Sequence, residues 1–176
     1  QVLCNGSPTA PVILSGTVPF TVFDWTNSAP SIGLAASGTG DIASFIATNT
    51  TNAPVVATIT VTPTYTNGGV TCTGTPRTFT ITVNPTPTVN TVASQVLCNG
   101  SPTTAVTFTG AVTGTVYNWT NNNTSIGLSA SGTGNIPSFN AVNSGNAPAM
   151  ATITVMPVYT NGGVTCTGTP RTFTIT

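Results

Sequence analysis

Very few side chains in this sequence could do chemistry near neutral pH. They are Asp24, Asp41, Arg77, Arg171 and four cysteines, Cys4, Cys72, Cys98 and Cys166; histidine, lysine and glutamate do not occur. General acid–base catalysis needs a histidine, a tuned carboxylate, a lysine or a thiol within hydrogen-bond reach of the reacting group. A Ser-His-Asp triad is therefore excluded by composition. Asp24 and Asp41 could in principle form a carboxylate pair of the glycosidase kind. In the second half of the chain, however, Asn118 and Asn135 stand at the equivalent positions. No catalytic, cofactor-binding or metal-binding residue is expected, and no cofactor. Calcium, which prefers several carboxylate oxygens from one site, has too few to bind. The glycine strings SGTG and TNGG lack the lysine and helix of a phosphate loop and read as turns.

The cysteines suit an oxidised, extracellular framework: an even number, two in each half at matched positions. The expected pairing is within each half, Cys4 with Cys72 and Cys98 with Cys166. Such a bond closes a loop of about 69 residues and contributes on the order of 4 kcal/mol in the chain-entropy model. Zinc is the competing reading, but metal ligands usually come as close CxxC pairs, and these cysteines are far apart.

Arg77 and Arg171 are the only charges kept in both halves, and each follows a proline at the start of a strand-like stretch. One reading makes them guards of a strand edge against aggregation. The other stacks them on an aromatic face, Tyr65 or Trp25. Two arginines cannot make the basic stripe that nucleic acid requires, so nucleic-acid binding is excluded. With zero net charge and no side chain of unperturbed pKa in that range except a free Cys thiol, stability should be nearly flat between about pH 5 and 9. N-x-S/T triplets occur, as at Asn5, Asn49, Asn99 and Asn118, and are expected by coincidence in so Asn- and Thr-rich a chain.

What must position these residues is a duplicated module. YTNGGVTCTGTPRTFTIT occurs at Tyr65 to Thr82 and again at Tyr159 to Thr176, and QVLCNGSPT at Gln1 recurs at Gln95, an offset of 94 kept without a gap. Roughly seven in ten aligned positions are identical, which marks a tandem array. The organisation expected is a first repeat over 1–82, a Pro/Thr-rich linker over 83–94 (VNPTPTVNTVAS), and a second repeat over 95–176. The linker reads as an extended, semi-rigid spacer, and the chain as two links of a longer series.

Turn signals about every ten residues predict an all-β fold: two tandem immunoglobulin-like β-sandwich domains of about seven strands each. Strands are expected near 2–4, 11–15, 20–26, 31–36, 43–48, 55–63 and 77–83, with the same set 94 later. ATITVTPTYT alternates strictly, with Ile59, Val61, Pro63 and Tyr65 on one face. Pro63 complicates this strand, because proline marks an edge or a bulge. Phe23 and Trp25 share a face, as do Tyr117 and Trp119, and with Phe79 and Phe173 they are the expected core aromatics; a sugar-stacking surface role for Trp25 is the alternative. No run of apolar residues is long enough to cross a bilayer and no basic, apolar leader opens the chain, so membrane insertion is not expected.

QVLCNGSPT, VYNWTNNNTSIGLSASGTG, GNAPAMATITVMPVYTNGGVTCTGTPRTFTIT and the NPTP linker, taken together, resemble the PKD-like, immunoglobulin-like repeats of giant Bacteroidota cell-surface adhesins. Those include gliding-motility adhesins and substrates of type IX secretion. The resemblance covers essentially the whole chain. It implies an extracellular, surface-held stalk or filament whose partners are neighbouring repeats of the same chain, with surface polysaccharide or self-association as further candidates. It brings no catalytic residues. A glycan- or surface-binding module and a self-assembling fibre are the rival functions. An ice-binding face is a weaker rival, because the row Thr58, Thr60, Thr62, Thr64 becomes Thr152, Thr154, Met156, Val158 in the second copy, and sheet twist spoils a flat array.

Overall fold

The alternation in ATITVTPTYT becomes one of the longest strands in a computed structural model, which describes residues 1–176. The elements are β1 (Val2–Cys4), β2 (Val22–Asn27), β3 (Ser37–Thr39), β4 (Val55–Asn67), β5 (Val70–Thr73), β6 (Arg77–Asn84), β7 (Val116–Asn121), β8 (Ser131–Thr133), β9 (Ala151–Asn161), β10 (Val164–Thr167) and β11 (Arg171–Ile175). Two 3-10 turns, Pro30–Ile32 and Thr124–Ile126, are the only helical pieces. The fold is all-β, with two sheets. The chain divides into two compact units: Gln1–Pro85 with Asn161–Val164, and Thr86–Thr160 with Thr165–Thr176.

In the first sheet the order is β1-β6-β4-β2-β3, with β5 paired to the far end of β4. β1 runs parallel to β6, Leu3 opposite Val83, and the other pairings are antiparallel. The second sheet repeats the plan as β10-β9-β7-β8, with β11 on β9. Outside the named strands the chain is held by isolated antiparallel bridges: Pro8 to Ile46 and Val12 to Ile42 in the first unit, Pro102 to Asn140 and Val106 to Ile136 in the second.

The strand count therefore differs from seven per repeat. The stretches expected as strands near 11–15 and 43–48 contribute only the bridges through Val12, Ile42 and Ile46. Proline at positions 8 and 11 removes ladder donors there. The stretch 31–36 turns instead of extending: Pro30 opens a 3-10 turn and Gly33, at φ +96°, closes it in the left-handed region. Conversely β5, VTCT, is a strand where turn residues were expected.

Pro63 sits where β4 changes partner. β6 pairs with β4 from Val55 to Val61 and β5 pairs from Thr64 to Asn67. The Pro63 carbonyl accepts from the Gly74 N–H at 2.8 Å, so its missing N–H falls on the side where neither strand lies opposite.

Each unit has its own core. Trp25, Ile32, Ile42, Ile59, Ile81 and Val83 are buried together in the first. Trp119, Ile126, Ile136, Ile153, Phe173 and Ile175 are buried together in the second. Burying an aliphatic side chain of this size contributes about 1.5–3 kcal/mol. Val83 and Asn84, read from sequence as the start of the linker, end β6. Val89, also in that stretch, is buried in the second core.

Candidate functional site

The two aspartates are placed by β2 and by the bridge region, and both serve as hydrogen-bond acceptors. Asp24 Oδ1 accepts from the Thr39 hydroxyl at 2.8 Å, tying β2 to β3. At the equivalent place Asn118 Oδ1 accepts from the Thr133 hydroxyl at 3.0 Å. Asp41 Oδ1 accepts from the Leu14 N–H at 2.7 Å, and Asn135 Oδ1 accepts from the Phe108 N–H at 3.0 Å. A carboxylate oxygen and an amide oxygen do the same work at both sites. The negative charge is therefore dispensable to the geometry, which is the reverse of what carboxylate catalysis needs. No group of three or more His, Cys, Asp or Glu is placed to hold a metal ion.

Trp25 and Trp119 are core residues. Trp25 is 8% exposed, pairs with Gly38 across β2 and β3, and donates its indole N–H to the Gly40 carbonyl at 3.2 Å. Trp119 is 7% exposed and donates to the Gly134 carbonyl at 3.1 Å. Neither ring face is free to stack a sugar. Phe173 is buried, whereas Phe23, Tyr117 and Phe79 are half-buried and pack against the two cores. Phe108, absent from the residues expected in the core, links the second set: its ring centroid lies 5.7 Å from Tyr117 and 6.4 Å from Phe173. Burial raises the Tyr117 phenol above the usual tyrosine range.

The cysteines correct the sequence reading. Cys4 and Cys166 are disulfide-bonded, while Cys72 and Cys98 are free, exposed thiols, so neither within-repeat bond forms. The reason is the length of β4. Cys72 lies opposite Tyr65, whereas Cys4 lies opposite Asn84, beyond the Val55–Val83 pair at the other end of the same sheet. About ten residues of strand separate those levels, roughly 30 Å at 3.3 Å per residue. A disulfide tolerates a Cα separation of only about 7 Å.

Arg77 is exposed at the start of β6, and β1 covers β6 only from Thr82 to Asn84. The Arg77 end of β6 is thus an uncovered edge on that side, the position a guarding charge would occupy. Of the N-x-S/T triplets, the one at Asn49 has a buried asparagine whose side-chain amide donates to the Ala53 and Val83 carbonyls at 2.8 and 2.7 Å, a structural clamp.

One concave feature stands out. In the first unit an apolar cleft of about 630 Å³ is lined by Val12, Leu14, Gly16, Phe23, Gly74 and Phe79 among others, with Arg77 and Cys72 also on its wall. Sequence reasoning did not find it, because its walls come from four separated segments with no motif of their own.

No protein-family model matches the chain, and no curated protein does. Among solved structures, a crystal structure of human protocadherin-24 EC1-2 (form II) aligns over 88% of this chain and 80% of that one, at 12% identity and a TM-score of 0.35. A likeness that slight bears on neither the site nor the function. No helix is long and apolar enough to cross a membrane.

Proposed function

We propose that the chain is a pair of spacer repeats from a secreted cell-surface adhesin or filament, each an immunoglobulin-like, PKD-like sandwich. The observation that carries this reading is the exchange of Asp24 for Asn118 and Asp41 for Asn135 with the short bonds from the Thr39 hydroxyl and the Leu14 N–H each retained at their counterparts. Charged groups that can be neutralised while the Thr39-type and Leu14-type acceptor bonds persist answer a structural demand. The duplication points the same way, since reach grows with copy number and chemistry does not. The resemblance to Bacteroidota adhesin repeats supports an extracellular setting, with type IX secretion and a role in gliding motility as its most specific form.

The test is to join two, four and six copies and to measure contour length by rotary-shadowed electron microscopy. A spacer gains a constant increment, roughly 40 Å per copy for a sandwich with strands of this length. A length that stops rising with copy number would contradict the reading. Saturable binding of the pair on a glycan array would favour a binding module, and growth into sheets at rising concentration would favour a self-assembling fibre.

A further inference from the structure

The cleft of the first unit has a counterpart in the second, and there it is filled. The residues that line it, Val12, Leu14, Val18 and Phe79, correspond at the offset of 94 to Val106, Phe108, Val112 and Phe173. All four of the latter are buried, three of them in one cluster with Val89. Val18, by contrast, is 52% exposed where Val112 is 3% exposed. What covers the second set is the segment Thr86–Asn90. The Asn90 N–H donates to the Thr109 carbonyl at 2.7 Å, and the Ala111 N–H donates to the Thr88 hydroxyl at 3.0 Å. Its backbone crosses directly over two glycines: a methyl on Gly110 would overlap the Thr88 carbonyl, and one on Gly168 would overlap the Pro87 carbonyl.

The first unit carries the matching receptor without the occupant. Gly16 and Gly74 stand at the equivalent positions, and there a methyl would meet only the side chain of Phe23 and atoms of Pro63. Neither glycine has a positive φ that would require it. At Gly74 the Pro63 Cγ, 2.9 Å from such a methyl, already disfavours a side chain; at Gly16, where only the tip of the Phe23 ring comes near, close backbone approach is the remaining physical reason for glycine.

We infer that the cleft beneath Gly16 and Gly74 is a docking groove for an extended, uncharged Pro-Thr-Val peptide of the type Thr86–Asn90, supplied ahead of Gln1 by a preceding copy of the module. The peptide seats its valine between Phe79 and Leu14, places its threonine hydroxyl on the Thr17 N–H, and lies over the two glycines. Recognition is by main-chain hydrogen bonds at a strand edge with alternate side chains entering the groove. The inference goes beyond the spacer reading and does not depend on it, since it concerns how one repeat is completed, whatever the array does.

The test uses the 176-residue chain with a second copy of Asn84–Ser94 fused ahead of Gln1, compared with the chain alone by amide hydrogen exchange. Docking slows exchange of the Thr17 amide by at least about tenfold, with no change at its counterpart Ala111. A fused segment whose valine is replaced by aspartate, and separately a Gly16→Val chain with the intact segment, both lose that protection. Thr17 exchanging equally with and without the segment overturns the inference, as does equal protection by the aspartate-bearing segment. Failure here leaves contour length per copy untouched, so it is distinguishable from failure of the spacer reading.

Discussion

Gly38 lies so close beneath the indole of Trp25 that no side chain could stand between them, and Gly132 lies beneath Trp119 in the same way. The short strand β3 exists in register with β2 because it presents a bare backbone to the ring. Gly38→Ala forces either the indole or the strand to move, and overpacking of this kind costs about 2–3 kcal/mol. Urea denaturation of Gly38→Ala and Gly132→Ala should show losses of that size. A loss under about 0.5 kcal/mol in either would mean that the ring can shift freely.

Asp41→Asn should leave stability within about 0.5 kcal/mol of the parent, because Asn135 already holds the equivalent N–H. Asp41→Ala removes the acceptor for the Leu14 N–H and should cost about 1 kcal/mol or more. The pair of variants, followed by the same denaturation midpoint, separates the role of the oxygen from the role of the charge.

Two thiols should react with an alkylating probe in the absence of reductant, at Cys72 and Cys98, and two more, at Cys4 and Cys166, only after reduction. Peptide mass spectrometry reads the sites directly. Alkylation of all four before reduction, or a Cys4–Cys72 peptide, would contradict the structure.

Stability should hold steady from about pH 5 to 9, since histidine does not occur and both free thiols, Cys72 and Cys98, are already exposed in the folded chain. It should then fall above about pH 10. The sign follows from Tyr117, whose phenol is raised in the folded state by burial. Above the unfolded value the unfolded chain has lost a proton that the folded chain keeps, so unfolding gains with rising pH. Thermal melts across that range check it, and Tyr117→Phe should make the alkaline fall shallower.

Much of the sheet was legible in the sequence, because strict alternation fixes both strand and face. Ile59 and Val61 point inward in β4, and Ile81 and Val83 do so in β6, as the pattern required. The misreadings have specific physical causes. Pro30 and Gly33 turn a stretch whose apolar residues suggested a strand. VTCT lies between TNGG and GTP, and the turn residues around it hid a strand with no apolar face to announce it. In the presumed linker, Pro87 and Val89 are buried while Thr88 and Asn90 are exposed, a period-two signal obscured by prolines that read as a spacer. The cysteine assignment failed because matched positions say nothing about distance along a strand. The cleft was illegible because the glycine at position 16 makes sense only beside its counterpart Gly110, which the Thr88 carbonyl crosses in the other unit.

The handover at Pro63 sets an order of opening within the first unit. Beyond it, β5 has every residue exposed and is held by β4 alone, Tyr65 facing Cys72 and Asn67 facing Val70. This arm contributes no buried residue to the core, so it can unzip and reclose while Ile59 and Ile81 stay packed. The proline thus acts as a firebreak: fraying that begins at the tip runs out of ladder before it reaches the body of the sheet.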